Sequence, residues 1–446
     1  MIKRLIGGLL SVLILFSATA CMGGGTESES QTKGGLPNYD LKKDELHFTI
    51  GAWYSPNTKK EEQFLWLKES GINLAYVQGE YGKRVGDASF EKTLELLQKY
   101  GVDAFGTSGT SGDASTRLSD IHLYDYSSYS NYRGLNVYDE PKMGDIPVIK
   151  AAIENYGKYF PNQELQVNLF PIKSNMWGNA SYDEYLRENC EALSSYPGEK
   201  WLSVDAYPLL YINGEYTFEN LWLANIERVK QMALEYDYKS NFFIQTMPYG
   251  TKNFRVPTKA DMSLQTYCCL ALGMDGIAHF CYATPSAGAE FDRDDCYAMI
   301  DKNGERTSIY YATKEINEQI LYFDHVLMQF NWQGVFAKEG EGKPRNIAFN
   351  NLGYALKESQ LKGVNVLSST EDLLMGVYKD EEGNYGYILV NYGETTTAKS
   401  STVNLEFDGK SKIRVYRNAE KLEENLTDGK YEVTLDVGEG IFVIPY

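Results

Sequence analysis

Between residues 47 and 285 the chain alternates apolar and polar positions in short runs, each followed by a loop and then a stretch with helical spacing. The runs cover residues 47–54, 73–80, 102–109, 134–141, 164–172, 201–209, 241–250 and 273–285. Each reads as a strand. Helical patterns fall at 59–70, 89–101, 146–160, 181–194, 218–236, 258–272 and 307–329, with Gly71 and Gly101 closing the first two and Ser89 placed to cap the second. A Ser- and Tyr-rich connection joins the third strand to the fourth. From about residue 331 the rhythm changes to short strands at 373–379, 385–391, 402–407, 412–416, 430–435 and 440–445, punctuated by turn signals at 381–384 and at Asp428-Gly429.

Strands alternating with helices require a parallel sheet, either a closed barrel or an open doubly wound sheet. Two features favour closure. No glycine-rich dinucleotide fingerprint follows the first strand, and polar or aromatic residues recur at the C-terminal end of nearly every strand rather than at one switch point. The predicted fold class is therefore α/β, a (β/α)8 TIM barrel over residues 45–330, followed by a C-terminal all-β sandwich over 331–446.

The first 44 residues do not fit this rhythm. Lys3 and Arg4 precede an apolar run, 5–16, and then Ser17-Ala18-Thr19-Ala20-Cys21. The run is too short for a membrane span and reads as an export signal. The small residues before Cys21 resemble a bacterial lipobox, with Ala18 where Leu is more usual, which implies cleavage before Cys21 and lipidation of its thiol. Residues 22–44 then form a flexible tether. The expected location is the extracytoplasmic cell envelope, with membrane contact through a lipid anchor only. A net charge of -18 argues against nucleic acid or anionic lipid head groups as partners. Cys190, Cys268, Cys269, Cys281 and Cys296 form neither a disulfide framework nor a zinc site; Cys281 and Cys296 are within reach of pairing on sequence grounds. No cofactor or metal is expected, and Glu290, Asp292, Asp294 and Asp295 lack the spacing of a Ca²⁺ loop.

Candidate chemistry concentrates at the strand ends. In Gly134-Leu135-Asn136-Val137-Tyr138-Asp139-Glu140-Pro141, period-two parity puts Asn136, Tyr138 and Glu140 on one face and turns Asp139 away from them, to brace a loop. Glu80, Glu140 and Asp205 are the inward acids. Glycoside cleavage needs one carboxyl to protonate the leaving oxygen and a second to attack or to activate water. Around these acids lie Trp53, Tyr54, Gln78, Tyr138, Asp139, Asn168, Tyr207, Gln245, Tyr249 and Tyr282, suited to stacking on sugar rings or bonding their hydroxyls. Trp177 is a further sugar platform or a packing residue. Four scattered His residues give no metal cluster or Ser-His-Asp triad.

The order of barrel then sandwich, the strand ending Tyr138-Asp139-Glu140-Pro141 and the C-terminal stretch 437–445 resemble the (β/α)8 glycoside hydrolases of the broad clan that includes the family 42 β-galactosidases. In that clan the fourth strand ends Asn-Glu-Pro with Glu as acid/base. The resemblance thus implies that role for Glu140 and sugar contact for Asp139. The clan's nucleophile is a Glu at the end of the seventh strand, where this chain has Gln245. The second carboxylate is then Asp205 or Glu80, or the substrate assists, or the protein binds without cleaving. The expectation is an exported glycoside hydrolase with Glu140 as general acid and Asp205 as second carboxylate. The alternatives are a catalytically inactive carbohydrate-binding surface lipoprotein and an envelope scaffold.

Overall fold

The computed structural model describes residues 35–78, 84–109, 118–248, 250, 253–286 and 288–446. The expected signal segment with Cys21, most of the tether, Glu80 and Tyr249 lie outside the described residues. Asn38–Tyr446 form one compact unit. It begins earlier than the expected boundary at 45, because Tyr39 is buried and donates its hydroxyl to Asp380 at 2.7 Å.

Eight parallel strands close into a barrel: β1 (Thr49–Trp53), β2 (Leu74–Val77), β3 (Asp103–Thr107), β4 (Tyr132–Asp139), β5 (Glu164–Leu169), β6 (Glu199–Asp205), β9 (Lys239–Gln245) and β10 (Gly276–Phe280). Between β6 and β9 the chain inserts an antiparallel hairpin, β7 (Leu209–Ile212) and β8 (Glu215–Phe218). The crossover helices are α1 (Glu62–Glu69), α2 (Phe90–Lys99), α3 (Ile146–Tyr159), α4 (Tyr182–Leu193), α5 (Trp222–Tyr236), α6 (Lys259–Ala271) and α7 (Ser308–Leu327). Among the described residues the β3 to β4 connection carries a short 3-10 turn, Ile121–Leu123, in place of a helix.

Local chemistry starts these helices where the pattern calls for them. Ser181 opens α4 with a capping box, its hydroxyl accepting from Glu184 N at 3.1 Å, and Tyr185, Leu186, Asn189, Cys190 and Leu193 then recur on the buried face. Thr258 opens α6 in the same way with Asp261. Ser89 does stand at the start of α2, but its side chain makes no cap bond.

The lumen is a packed core. Trp53, Tyr76, Phe105, Trp201 and Phe243 fill it, and below them Tyr76 donates its hydroxyl to Gln166 Oε1 at 2.9 Å while Asn241 Nδ2 donates to Ser203 Oγ at 3.2 Å. At the N-terminal end Arg133 forms a two-pronged pair with Glu164, at 2.9 and 2.7 Å. A cavity of about 580 Å³ lies at that end, lined by Arg133, Lys239 and Trp332 among others. It is the end opposite to the one where barrels of this kind place chemistry.

After α7 the chain forms two antiparallel sheets. One has six strands: β11 (Phe330–Lys338), β13 (Leu373–Asp380), β14 (Tyr385–Asn391), β19 (Gly440–Pro445), β16 (Lys412–Arg417) and β17 (Glu420–Asn425). The other has three: β12 (Val364–Ser369), β15 (Ser401–Phe407) and β18 (Lys430–Leu435). Their facing apolar residues, among them Leu373, Met375, Leu389, Val403, Leu405 and Ile441, make a second core. Helix α6 joins the two parts: Tyr378 donates its hydroxyl to the Leu270 carbonyl, and Arg255, paired with the buried Asp261, also reaches Glu394 of the sandwich at 3.1 Å.

Three strands of the sandwich region fall outside the expected runs. β17 is exposed along its whole length and reads Glu-Lys-Leu-Glu-Glu-Asn, so no burial imposes an alternation on it. β11 and β12 likewise escape the pattern, and the β7–β8 hairpin lies where the sixth strand was expected to continue to residue 209. Cys281 and Cys296 are both buried free thiols, Cys281 donating toward Met247 Sδ at 3.2 Å and Cys296 toward the Pro248 carbonyl at 3.4 Å.

Gly134, the third residue of β4, is fixed as glycine for a steric reason. A Cβ there would sit 1.9 Å from the Glu164 carbonyl oxygen of β5, and backbone cannot yield as a side chain would. Gly134→Ala is expected to cost about 1–3 kcal/mol of stability, read from the urea midpoint, with a further fall in any activity measured at the strand's end.

Candidate active site

The C-terminal end of β4 departs from simple alternation. Against β5 the register runs Asn136 to Gln166, then Tyr138 to Val167 and Asp139 to Asn168, so Val137 is an extra residue. The Val137 carbonyl, released from the ladder, accepts the Ser108 hydroxyl. A bulge of one residue inverts the parity of the strand residues after it, Tyr138 and Asp139, whereas Glu140 lies past the end of β4 in a left-handed conformation and stays close enough for its charge to act on Asp205. The expectation that Asp139 turns away from the site is therefore corrected: Asp139 Oδ1 accepts from Asn168 Nδ2 at 2.9 Å, while Tyr138 is buried.

Asn168 organises the acids. It lies on β5, between β4 and β6, and the same Nδ2 also donates to Asp205 Oδ1 at 2.9 Å. An amide nitrogen has two hydrogens, and both are directed to carboxylates. The opposite assignment of the amide would set its oxygen against two acids, so the chemistry fixes the orientation. Asn168 Oδ1 is buried with no protein partner among the described residues.

Glu140 follows with φ of +56°, a left-handed conformation costly for a non-glycine residue and more so before a proline. Its N–H donates to the Asn168 carbonyl at 2.7 Å, and Tyr185 of α4 donates its hydroxyl to the Pro141 carbonyl at 2.8 Å, so both sides of the strained residue are tied down. Tyr54, at the end of β1, shares the left-handed conformation with φ of +61°. Two strained non-glycine residues at the same rim of a barrel mark a site whose geometry is held by the surrounding fold.

The electrostatics agree. Burial raises the Glu140 carboxyl to about 8, with the charge of Asp139 adding to the effect. Burial also pushes Asp205 well above the usual carboxylate range, followed by the charges of Glu140 and Asp139. Both side chains are only partly exposed, and like charges this close cannot all ionise. Near neutral pH the coupled cluster therefore retains a proton, with burial favouring the neutral form of Glu140 and of Asp205 alike. Burial likewise raises the Tyr54 hydroxyl, with further contributions from nearby Cys281, Asp139 and Glu290.

The remaining expected residues divide into two groups. Tyr54 and Tyr207 are partly exposed at the rim and meet through Phe280, with ring centroids 6.4 and 5.3 Å from it. Gln78 ends β2 and accepts the Ser55 N–H through its carbonyl, while its side-chain Oε1 is buried with no partner among the described residues. Trp53 belongs to the lumen core, packed on Tyr76 and Phe243. Tyr282 is fully buried and donates to the Gln63 carbonyl of α1, so it turns away from the mouth. Gln245 is committed to backbone: Oε1 accepts the Leu209 N–H at 3.0 Å and Nε2 donates to the Arg255 carbonyl at 3.4 Å. It braces the loops after β6 and β9. Trp177 packs on Tyr182 and Tyr185. Phe280 and Tyr185 complete the site without having been singled out in the sequence; an isolated aromatic in an apolar strand and a Tyr on a helix face look like ordinary core. Among the described residues no group of three or more His, Cys, Asp or Glu is placed to hold a metal ion.

No protein-family model and no curated protein matches the chain. Solved structures do. The chain is similar to a family 39 glycoside hydrolase from the gut symbiont Bacteroides cellulosilyticus, with a TM-score of 0.53 and 10% identity over 91% of this chain and 82% of that one. It also matches a family 27 β-L-arabinopyranosidase from Geobacillus stearothermophilus, with a TM-score of 0.44 and 10% identity over 91% of this chain and 98% of that one. A family 10 xylanase from Thermobacillus composti matches with a TM-score of 0.43 and 13% identity over 63% of this chain and all of that one, 100%. At 10% identity the likeness to the family 39 enzyme is one of fold alone.

Proposed function

We propose that the chain is an exported, lipid-anchored glycoside hydrolase that cleaves an extracellular oligo- or polysaccharide, with Glu140 as general acid and Asp205 as the second carboxylate. The observation that carries this reading is the pair of raised acids at the ends of β4 and β6: the Asn168 amide ties Asp205 to Asp139, and the Asn168 carbonyl accepts the Glu140 N–H. An acid that keeps its proton near neutral pH can deliver it to a departing glycosidic oxygen. Asp205, fixed by Asn168, would attack the sugar or activate water, and the rim aromatics Tyr54, Tyr207 and Phe280 would face its rings. The Asp139-Glu140-Pro141 ending, similar to the Asn-Glu-Pro of the family 42 clan, supports the same assignment. Residues 45–330 would be the catalytic domain and the sandwich an accessory one.

One observation favours a second reading. Gln245 is neutral and bound to backbone, so β9 supplies no acid where that clan has its nucleophile. A carbohydrate-binding lipoprotein without turnover would share every other feature. Sugar release from a broad glycan panel by the chain lacking residues 1–36, lost in Glu140→Gln with binding retained, supports hydrolysis. Binding without release by the unaltered chain overturns it. The anchor has its own test. Labelled palmitate is expected to enter the full chain during expression in a bacterial host and to be lost in Cys21→Ala; equal labelling of both excludes Cys21 as the lipidated residue.

A further inference from the structure

The β7–β8 hairpin stands out from the barrel for what it exposes. Tyr211 and Tyr216 face each other across its two strands, their ring centroids 5.2 Å apart, and are 41% and 52% exposed. Ile212 beside them is exposed as well. Large apolar side chains gathered at the tip of a surface arm mark a contact surface. A two-stranded hairpin is marginal by itself, yet this one is pinned. Tyr211 N donates to the Asn253 carbonyl at 2.7 Å, Arg255 N donates to the Leu209 carbonyl at 3.1 Å, and Gln245 takes the Leu209 N–H. The neutral amide on β9 thus acquires a purpose: it fixes the root of the arm.

Beneath the arm lies a groove of about 590 Å³, walled on one side by Tyr216, Thr217 and Phe218 and on the other by sandwich residues including Glu394. Its charges are matched internally. Lys173 pairs with Glu219 at 2.5 Å, and Arg255, whose guanidinium lies over the Tyr216 ring, is paired with Asp261 and Glu394. Such a groove offers no free cation among the described residues to an anionic ligand. It offers aromatic side chains, Tyr216, Phe218 and Tyr392, and in its wall Glu394 has a buried carboxylate oxygen, Oε2, with no protein partner among the described residues. That combination fits an uncharged polyhydroxyl ring, whose apolar face stacks while a hydroxyl donates.

The arm is also continuous with the acids. It leaves β6 four residues after Asp205, and aromatic rings run from Tyr54 through Phe280 and Tyr207 to Phe254, which Tyr207 meets edge-on at 6.5 Å. Phe254 in turn bridges to Leu210 of the arm. We infer that the β7–β8 hairpin and its groove form a distal subsite for uncharged sugar residues of a chain whose scissile bond lies at Glu140 and Asp205. The inference rests on the glycosidic reading of that site and deepens it: the substrate is a polymer or long oligosaccharide, gripped several rings away from the cleaved bond.

The test uses the binding-competent Glu140→Gln chain in native gels cast with soluble xylan, galactan, arabinan or mixed-linkage β-glucan, alongside titration with the matching disaccharides. At least one polysaccharide is expected to retard it. Tyr211→Ala with Tyr216→Ala should weaken that binding about tenfold, while Tyr211→Phe with Tyr216→Phe keeps it within about twofold and disaccharide affinity is unchanged in both. If the alanine pair does not fold, Thr217→Arg, which narrows the groove, should give the same loss. Equal polysaccharide binding by these variants and their parent overturns the subsite, and so does the absence of retardation by all four polymers. Hydrolysis of short substrates by the unaltered chain is scored separately. Turnover without any hairpin effect removes the subsite alone, whereas a hairpin effect on binding without turnover removes the hydrolase and leaves the subsite standing.

Discussion

Glu140→Gln is expected to lower kcat on a natural glycoside by about 10²–10⁴-fold, with KM changed little. Gln keeps the volume and the neutral charge that the protonated Glu140 has near pH 7, because burial and the Asp139 charge hold its carboxyl at about 8. The variant therefore loses only the transferable proton. The loss should depend on the leaving group. An aryl glycoside whose phenolate departs without protonation should be cleaved by the variant almost as well as by the parent in the bond-breaking step, since no acid is needed there. Asp205→Asn should behave differently, depressing both classes of substrate, because attack on the sugar or activation of water is common to both. If instead Glu140→Gln is active on natural glycosides and Asp205→Asn is selectively rescued by aryl leaving groups, the two roles are exchanged.

The barrel was legible because its strands obey a pattern that burial enforces: each of the eight expected runs overlaps an observed barrel strand. Glu140 and Asp205 could be placed at strand ends for the same reason. What period-two reading could not supply was the register. The extra Val137 in β4 brings Asp139 back to the site, and no residue type announces such a bulge, which arises from pairing with β5. Asn168 was readable as an inward amide, but its action on two acids at once depends on β5 lying between β4 and β6, a fact of topology. Gln245 and Tyr282 show the converse limit. Parity or position brought both near the mouth, while neighbouring backbone groups, the Leu209 N–H and the Gln63 carbonyl, draw their polar atoms elsewhere. The hairpin that carries Tyr211 and Tyr216 was hidden because its strands are four residues each and largely exposed, too short for a burial pattern to be read.

The acid cluster should also write itself into stability as a function of pH. In the unfolded chain Glu140 ionises near the ordinary 4.5, whereas in the folded protein it keeps its proton until about 8. The folded state thus binds the extra proton between these values. The contribution is intact below about pH 4.5, falls as pH rises through 8, and levels off once both states are ionised. Asp205, raised by burial and by Glu140, acts in the same direction. Removing one titration should recover on the order of a few kcal/mol, less than the full difference in proton affinity because Glu140 is partly exposed and its neighbours titrate with it. Urea unfolding of Glu140→Gln should match the parent at pH 4.5 and exceed it at pH 9; parallel curves across that range would exclude a raised acid at Glu140. The same group predicts an alkaline limb near 8 in kcat/KM, and Asp139→Asn should move that limb to lower pH by removing a charge that opposes Glu140 ionisation. A merely structural carboxyl would alter the stability curve and leave the rate profile in place. Displacement of both by changes at Asp139 and Glu140 identifies the proton that limits folding at high pH with the one transferred in catalysis.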